Sequence, residues 1–353
     1  MPPALRTTSR NQYAPPQLQT YYRDATHANR PNDLAQILPA NHANHTSKDC
    51  EIGKTFASIR VFRGPHSTWK ATHSEKSLRK RRHWSTTFSM PELKDFASSV
   101  AIIVSSCDAF FDAWRPFVFF FRKHWSDCPF PIFLIVNRLQ VRSDFLQPIR
   151  VGPDRNWASN MQLALAQIAQ PYVLYLQEDY FLNGPVNRGQ LASDFAYASD
   201  RDAASFCFYG RSKLEGDFVP LNDRFGIVPR DSDGRTRLQV TLWKKDVLQA
   251  TLRPGESAWN MEARASERTR DLLALSYMGR ENVPIPYLMS AISRRLWTPE
   301  AISLCQREHV RIHPRFRLEH SDVAWRRRWR RGLGRARLAL ALARQGNQEI
   351  DLG

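Results

Sequence analysis

The sequence predicts an α/β fold in which a mostly parallel sheet is flanked by helices. Three short apolar runs rich in β-branched and aromatic residues, at 100–104, 131–137 and 172–182, are typical of buried strands. Residues 110–125 carry apolar side chains at spacings of three and four, which predicts a helix, and residues 160–169 predict a second helix that leads into the third strand. Strands and helices in this order build a parallel sheet with covering helices.

The pattern after residue 183 is less regular. It predicts a helix over 187–198, short strands near 205–209 and 238–243, a helix near 258–275 and a terminal helix over 326–343. With its flanking strands and helices, the fold is expected to be Rossmann-like.

The net charge of +17 is unevenly distributed along the 353 residues. Residues 1–90 carry 14 Lys and Arg against 5 Asp and Glu, a net of +9; residues 91–310 carry 26 against 25, a net of +1; residues 311–353 carry 11 against 4, a net of +7. The first segment is also rich in Asn, Gln, His, Pro, Thr and Ser. We therefore predict a disordered basic extension over 1–95, an ordered domain over 96–310 and a basic amphipathic tail over 311–353.

The cysteines and the hydropathy pattern limit the protein's setting. The chain has five widely spaced cysteines: Cys50, Cys107, Cys128, Cys207 and Cys305. Their odd number and the lack of a C-x-x-C pair predict neither a disulfide framework nor a zinc site, and a reducing compartment is the simplest interpretation. No stretch approaches the roughly 18 to 20 apolar residues of a membrane span, and no apolar signal region follows Met1. A cytoplasmic location is expected.

Two adjacent carboxylates, Glu178 and Asp179, close the third predicted strand. Ionised carboxylates are rarely buried without a partner, so the pair is expected to face a cation, a ligand or a basic side chain. Ligands of open α/β sheets bind beyond the carboxyl ends of the strands, an edge that would also collect Asp108 and Asn137. The alternative is a turn in which the carboxylates bond their own backbone.

These features together resemble the nucleotide-diphosphate-sugar glycosyltransferases of the GT-A fold, of the bacterial polysaccharide and lipopolysaccharide type. Residues 100–108 are similar to the first strand of that family, residues 154–157 (D-R-N-W) to the segment before its acidic motif, and residues 177–180 (Q-E-D-Y) to its D-x-D motif. The W-K-K at Trp243 and residues 255–262 resemble the acceptor-side region. The resemblance covers about residues 98–305.

The resemblance implies a role for each matching residue. Donor binding would fall to Ser105, Ser106, Asp108, Asn137, Arg155, Trp157, Glu178 and Asp179. Asp179 would hold a divalent cation, Mn²⁺ or Mg²⁺, which suits hard carboxylate oxygens and neutralises a diphosphate leaving group. Glu262 or Glu256 would take the proton of the attacking hydroxyl as catalytic base.

One departure from the family pattern leaves a second mechanism open. Tyr180 stands where a strict D-x-D has its second Asp, so transfer without a metal is a variant in which Arg155, Arg211 or Lys213 neutralises the diphosphate.

Structural roles remain open for the same residues. Glu256 and Glu262 would also suit a solvated first helical turn, and Asp108 would suit a helix cap. Trp157, Trp243 and Trp259 would stack on a sugar or base, or simply fill the core.

The resemblance thus implies a glycosyltransferase that moves a sugar from a nucleotide-activated donor to a cell-surface glycan or lipid-linked acceptor. The terminal helix, which combines Trp325, Trp329 and leucines with arginine clusters, would suit an anionic membrane surface on the inner face of the membrane, or a solvated tail. Two other classes stay open: a nucleic-acid-binding protein that uses its Arg-rich ends, and an inactive transferase-like domain that only binds. The positive and negative charges of residues 91–310 are nearly balanced, and this segment has no helix-turn-helix, zinc-finger or RRM signature. Both observations argue against a nucleic-acid-binding protein.

Overall fold

The computed structural model describes residues 90–353, apart from 211–217, 233, 313–316, 322 and 346–347. Residues 1–89 of the predicted extension lie outside the described residues, as do Arg211 and Lys213. The described residues belong to one structural unit.

The described helices, in chain order, are α1 (Phe111–His124), α2 (Trp157–Leu165), α3 (Arg188–Asp200), α4 (Lys245–Thr251), α5 (Ala258–Arg268), α6 (Pro299–Arg307) and α7 (Ala324–Gln345). Two 3₁₀ turns lie at Leu93–Phe96 and Asp108–Phe110. Four helices begin at a residue whose side chain accepts a hydrogen bond from a backbone amide of the first turn: Asn156, Asn187, Ser257 and Thr298. Such caps satisfy amides that have no partner inside the helix.

The described strands are β1 (Val100–Ser105), β2 (Ile132–Val136), β3 (Gln140–Arg142), β4 (Gln147–Arg150), β5 (Tyr172–Gln177), β6 (Phe181–Leu182), β7 (Ser205–Cys207), β8 (Val219–Pro220), β9 (Phe225–Ile227), β10 (Thr241–Lys244), β11 (Ala274–Tyr277), β12 (Tyr287–Leu288), β13 (Ile292–Ser293), β14 (Leu296–Trp297) and β15 (Glu349–Asp351).

Nine strands form the central sheet in the order β4-β2-β1-β5-β10-β7-β11-β9-β8. The pairs β4-β2, β2-β1, β1-β5 and β7-β11 are parallel, and only β10 and β9 run against the other strands of this sheet. The predicted mostly parallel α/β sheet flanked by helices is therefore confirmed. The chain moves outward from β1 through β2 to β4 and then returns to β5 on the other side of β1, so a topological switch point lies between β1 and β5.

Helices cover both faces of this sheet. On one face, Ile102, Val104 and Leu174 pack in a core that includes Trp114 and Phe117 of α1. This core also takes in residues of α3 and α6. On the other face, side chains of α2, α4 and α5 pack against the strands, including Met161, Leu248 and Met261 against Ile103, Val173 and Trp243. Strands covered on both faces read as continuous apolar runs, which explains why β1, β2 and β5 were recognisable in the sequence.

The tail also packs on this unit. Residues 349–351 pair in parallel with residues 140–142, and Ile350 and Leu352 are buried in the same core as β1. Leu338 is also buried. The boundaries predicted at residues 95 and 310 remain predictions.

The end of one predicted element was wrong. The helix expected near 258–275 ends at Arg268, and Ala274–Tyr277 is instead a fully buried strand beside β7. A short apolar run buried on both faces cannot be told from a helix segment by periodicity.

Candidate active site

The acidic doublet lies at the carboxyl end of β5, next to the switch point. Glu178 and Asp179 are each only 6% exposed, and no ion pair joins either carboxylate to a described residue. One oxygen of Asp179, Oδ2, accepts hydrogen bonds from the Ser290 hydroxyl and the Ile292 amide, both at 3.1 Å. The other oxygen, Oδ1, is buried without a hydrogen-bond partner among the described residues.

Burial determines the charge of this pair. It raises the pKa of Asp179 to about 6, although the hydrogen bonds from Ile292 and Ser290 and the charge of Arg317 act in the opposite direction. Burial also raises the pKa of Glu178 well above its usual range, and the adjacent charge of Asp179 raises it further. A cation placed at the doublet would offset both effects, because it favours the ionised carboxylates.

Arg317 is the cation whose charge reaches the doublet from within the protein. Its guanidinium forms a two-point ion pair with Asp112, with both nitrogen–oxygen distances at 3.1 Å, and donates to the Ala109 carbonyl at 2.9 Å. It also lies 4.8 Å from the centre of the Phe110 ring. Since Asp112 and Arg317 satisfy each other in the interior, they support the site and are not free to bind a ligand. Neither residue is recognisable as part of the site from the sequence, because Arg317 belongs to an arginine-rich segment and only the fold brings it to α1.

Asp108 and Asn137 clamp the ends of β1 and β2 together. The Asp108 carboxylate accepts hydrogen bonds from the backbone amides of Asn137, Arg138 and Leu139 at 2.8 to 3.1 Å. The Asp108 amide donates in return to Asn137 Oδ1 at 3.1 Å. The side-chain nitrogen of Asn137, Nδ2, is buried without a described partner, so it remains a donor that a ligand could use.

Ser105, the last residue of β1, and Ser106, the next residue, accept hydrogen bonds from tryptophans. Trp157 Nε1 donates to Ser105 Oγ at 2.9 Å, and Trp114 Nε1 donates to Ser106 Oγ at 2.8 Å. These contacts hold the strand end in place. For Trp157 they favour a partly buried structural position beside Ser105. Ser106 Oγ also donates to the Cys107 carbonyl at 3.5 Å, and the Ser105 side chain is hydrogen-bonded to the Tyr175 hydroxyl.

Cys107 feels the charges of Glu178, of Asp108 and of Asp154 in the loop before α2. Burial raises the pKa of the Cys107 thiol to about 12, and the negative charges of Glu178, Asp154 and Asp108 raise it further. Asp154 accepts a hydrogen bond from Asn160 Nδ2 at 2.8 Å. The Arg155 side chain is exposed and has no carboxylate partner among the described residues.

Tyr180 does not replace a second metal ligand. Its hydroxyl donates to the Leu238 carbonyl at 2.9 Å, and its ring packs against Tyr287 with the ring centres 4.9 Å apart. It therefore fixes the strand end behind the doublet.

The two candidate bases differ in their surroundings. Glu262 Oε1 accepts from the Leu238 amide at 2.6 Å, and burial raises the pKa of Glu262. The negative charges of Glu262 and Glu178 both raise the pKa of Tyr175, so both carboxylates lie within electrostatic reach of that hydroxyl. A base near neutral pH needs such a raised pKa.

Glu256 is held by arginines instead. Arg268 donates to both of its carboxylate oxygens and lowers its pKa, and its backbone oxygen accepts from the Ala158 amide at 3.2 Å. These contacts favour an anchoring role, in which Glu256 ties α2 to the segment before α5.

The doublet fits a small divalent cation. No group of three or more His, Cys, Asp or Glu that would hold a metal occurs in the described part of the chain. Mg²⁺, however, is usually bound by one or two carboxylates together with substrate phosphates, and the unpartnered Asp179 Oδ1 beside Glu178 supplies such a pair. The coordination shell of a cation at this position would have to be completed by the phosphates of the ligand.

The fold and the site together define the class: an α/β protein with a buried acidic doublet at the switch point of its sheet. No family model and no curated protein matches the chain.

Among solved structures, the chain is similar to S. aureus TarS 1-349 in complex with UDP-GlcNAc, at 13% identity, covering 54% of this chain and 57% of that chain, with a TM-score of 0.36. It is also similar to a putative nucleotide-diphospho-sugar transferase from Desulfovibrio desulfuricans G20, at 12% identity, covering 72% and 100%, with a TM-score of 0.32. The bifunctional IspDF from Campylobacter jejuni matches at 14% identity, covering 55% and 52%, with a TM-score of 0.35. The chain spans less than two thirds of the length of TarS 1-349. The assignment of the candidate site therefore rests on the geometry of this chain's own residues.

Proposed function

We propose that this protein is a glycosyltransferase that uses a nucleotide-activated sugar. The observation that carries the proposal is the burial of Glu178 and Asp179, without an ion pair to a described residue, at the carboxyl end of β5 beside the switch point. That position is where open α/β sheets bind nucleotides. Buried carboxylates without a cationic partner are costly, and a divalent cation that also binds the diphosphate of the donor would supply the missing positive charge.

Each residue of the site has a role in this proposal. Asp179, with Glu178 beside it, holds Mg²⁺ or Mn²⁺, which neutralises the charge that develops on the leaving diphosphate. Asn137 Nδ2 offers an unpaired donor to the nucleotide, and the exposed Arg155 offers a positive charge to the phosphates. The Ser105 and Ser106 hydroxyls would donate to the nucleotide in place of their present partners, Tyr175 and the Cys107 carbonyl.

Glu262 is the proposed catalytic base. Its carboxylate is oriented by the Leu238 amide and its pKa is raised by burial, so it can accept a proton from the attacking hydroxyl.

The acceptor is proposed to be a cell-surface glycan or a lipid-linked sugar at the inner face of the membrane. The described cysteines, Cys107, Cys128, Cys207 and Cys305, are free thiols. No described helix is long and apolar enough to cross a bilayer.

Asp179→Asn tests this function. The full chain is screened by thermal unfolding with UDP-, GDP-, CMP- and dTDP-sugars, with and without Mn²⁺, because a ligand that binds only the folded state raises the midpoint. We expect one nucleotide class to raise the midpoint of the wild type with Mn²⁺, and Asp179→Asn to lose both that shift and sugar-nucleotide turnover.

Asp194→Asn is the matched control. Asp194 is also buried and burial also raises its pKa to about 6, but its carboxylate accepts hydrogen bonds from Tyr277 and Arg224. This variant should keep the ligand-induced shift even if its basal midpoint falls. Undiminished turnover in Asp179→Asn would reject the assigned site, and a shift independent of Mn²⁺ would favour the metal-free variant.

A further inference from the structure

The outward face of α7 carries an apolar stripe. Trp325, Trp329 and Leu340 are 67%, 61% and 51% exposed. They share one side of the helix with Ala336 and Ala343, because residues three, four and seven positions apart lie on the same face. Exposed indole rings on one helix face indicate an interaction surface.

The inward face of α7 is fixed by the rest of the chain. Gly334 and Leu338 are buried. Arg330 donates to the backbone carbonyls of Glu319 and His320, and Arg327 donates to that of Ser321. The apolar stripe therefore points away from the sheet because the helix is held from behind.

Two rows of arginine border the stripe. Helical spacing places Arg328 and Arg335 along one side of it, and Arg326, Arg337 and Arg344 along the other. None of these five guanidinium groups forms an ion pair with a described carboxylate, and residues 324–345 contain no acidic side chain. The surface is therefore apolar along its centre and positive along both sides.

We propose that this face of α7 docks on an anionic lipid surface, with the helix lying in the plane of the membrane. The tryptophans and Leu340 would enter the boundary between headgroups and acyl chains, where aromatic side chains settle. The two arginine rows would reach the lipid phosphates, and each basic residue near such a surface contributes measurably to binding.

The arrangement favours a lipid surface over the other anionic partners. Nucleic acid would meet arginines at the centre of the face, whereas here the centre is apolar. A second copy of the chain would bring like-charged arginine rows together, which is unfavourable.

The docked helix would orient the candidate active site. α7 packs against the Asp108–Phe110 turn, which directly follows β1, and against β14. Membrane binding at α7 would therefore hold the carboxyl end of β1 at a fixed distance from the lipid. The docking itself does not depend on the proposed function, and the two are tested separately.

The test is co-sedimentation of the full chain with vesicles of phosphatidylcholine alone and of phosphatidylcholine with phosphatidylglycerol. We expect the wild type to sediment with the anionic vesicles only. Arg328→Glu/Arg335→Glu should reduce the binding constant roughly tenfold or more, and Trp325→Ser/Trp329→Ser should reduce it to a similar extent. Thermal unfolding of each variant establishes that it is folded.

Matched controls separate the stripe from general properties of the surface. Trp259→Ser removes a tryptophan that is 54% exposed on α5, and Arg150→Glu/Arg307→Glu reverses two exposed arginines outside α7. Both should keep at least half of the wild-type vesicle binding.

Three results would overturn the proposal. The first is equal vesicle binding by the α7 variants and the controls. The second is retention of the protein on RNA or DNA that depends on the arginines and not on the tryptophans, with no vesicle binding. The third is a dimer that forms with rising concentration and is lost in Trp325→Ser/Trp329→Ser. Vesicle binding without any nucleotide-induced thermal shift would leave the docking in place and reject only the proposed function.

Discussion

Acidic residues lie at two places on the same edge of the sheet: after β1, beside the end of β2, and after β5. The carboxylates at the two places differ in their hydrogen-bonding partners. At the first, the Asp108 carboxylate accepts from three backbone amides of the turn after β2. At the second, Asp179 leaves one buried oxygen without a described partner, and Glu178 has no ion pair to a described residue. Sequence patterns place all three acids at strand ends, yet only the second pair remains available to a ligand.

This difference distinguishes carboxylates that stabilise the edge of the sheet from carboxylates that are available to bind a ligand there. A buried charge that is fully hydrogen-bonded stabilises the fold, and its loss leaves other groups unsatisfied. A buried carboxylate with a raised pKa and an unused oxygen is a cost to the fold, and such costs are concentrated at functional sites. The two kinds should respond to substitution in opposite ways.

The largest effect is expected where a satisfied charge loses its partner. Asp112→Ala leaves the Arg317 guanidinium buried and unpaired, so the free energy of unfolding should fall by about 3–5 kcal/mol. Urea unfolding measures this. Asp112→Leu/Arg317→Met, which removes both charges, should recover most of the loss. A single variant within about 0.5 kcal/mol of the wild type would contradict the structural role assigned to the pair.

A smaller loss is expected at the Asp108 clamp. Asp108→Ala removes the acceptor of three amides and should lower the free energy of unfolding by about 3 kcal/mol, measured in the same way. Asp108→Asn keeps one acceptor oxygen and should lose less. If Asp108→Ala were as stable as the wild type but lost the nucleotide-induced thermal shift, the clamp would have to be reassigned to ligand binding.

The smallest effect is a change in pH dependence at Asp179. Its pKa of about 6 in the folded state lies above its ordinary value of 3.8, so between those values the folded protein binds more protons than the unfolded chain. The free energy of unfolding of the metal-free protein should therefore fall as pH rises from about 4 to 6.

Asp179→Asn should flatten that fall by about 2 kcal/mol, since one pKa unit corresponds to roughly 1.4 kcal/mol. Unfolding is measured with a chelator present, and the variant should be no less stable than the wild type at pH 7. Glu178→Gln is the companion variant, because burial raises the pKa of Glu178 as well. A steeper fall in Asp179→Asn would show that its carboxylate is stabilised in the folded state.

The contrast between Glu256 and Glu262 shows how far sequence patterns reach into the site. Both residues lie in or next to the first turns of α5, and the sequence offers them equally as bases. In the structure Glu256 forms an ion pair with Arg268, whereas the Glu262 carboxylate accepts a hydrogen bond from the Leu238 amide. Arg268 is twelve residues from Glu256 along the chain, and Leu238 is twenty-four residues from Glu262, so neither contact follows from local spacing.

The sequence by itself determined the α/β class, the strands β1, β2 and β5 and the position of the acidic doublet at a strand end, because burial on both faces leaves continuous apolar runs and charges can only follow them. Only the tertiary structure decided that β5 lies on the other side of β1 and that Arg317 forms an ion pair with Asp112. It also decided that the Asp108 carboxylate is hydrogen-bonded by the turn after β2 and that the tryptophans of α7 face outward. These features depend on contacts between residues distant in the chain, and periodicity within one segment carries no information about the partner that its side chains will meet.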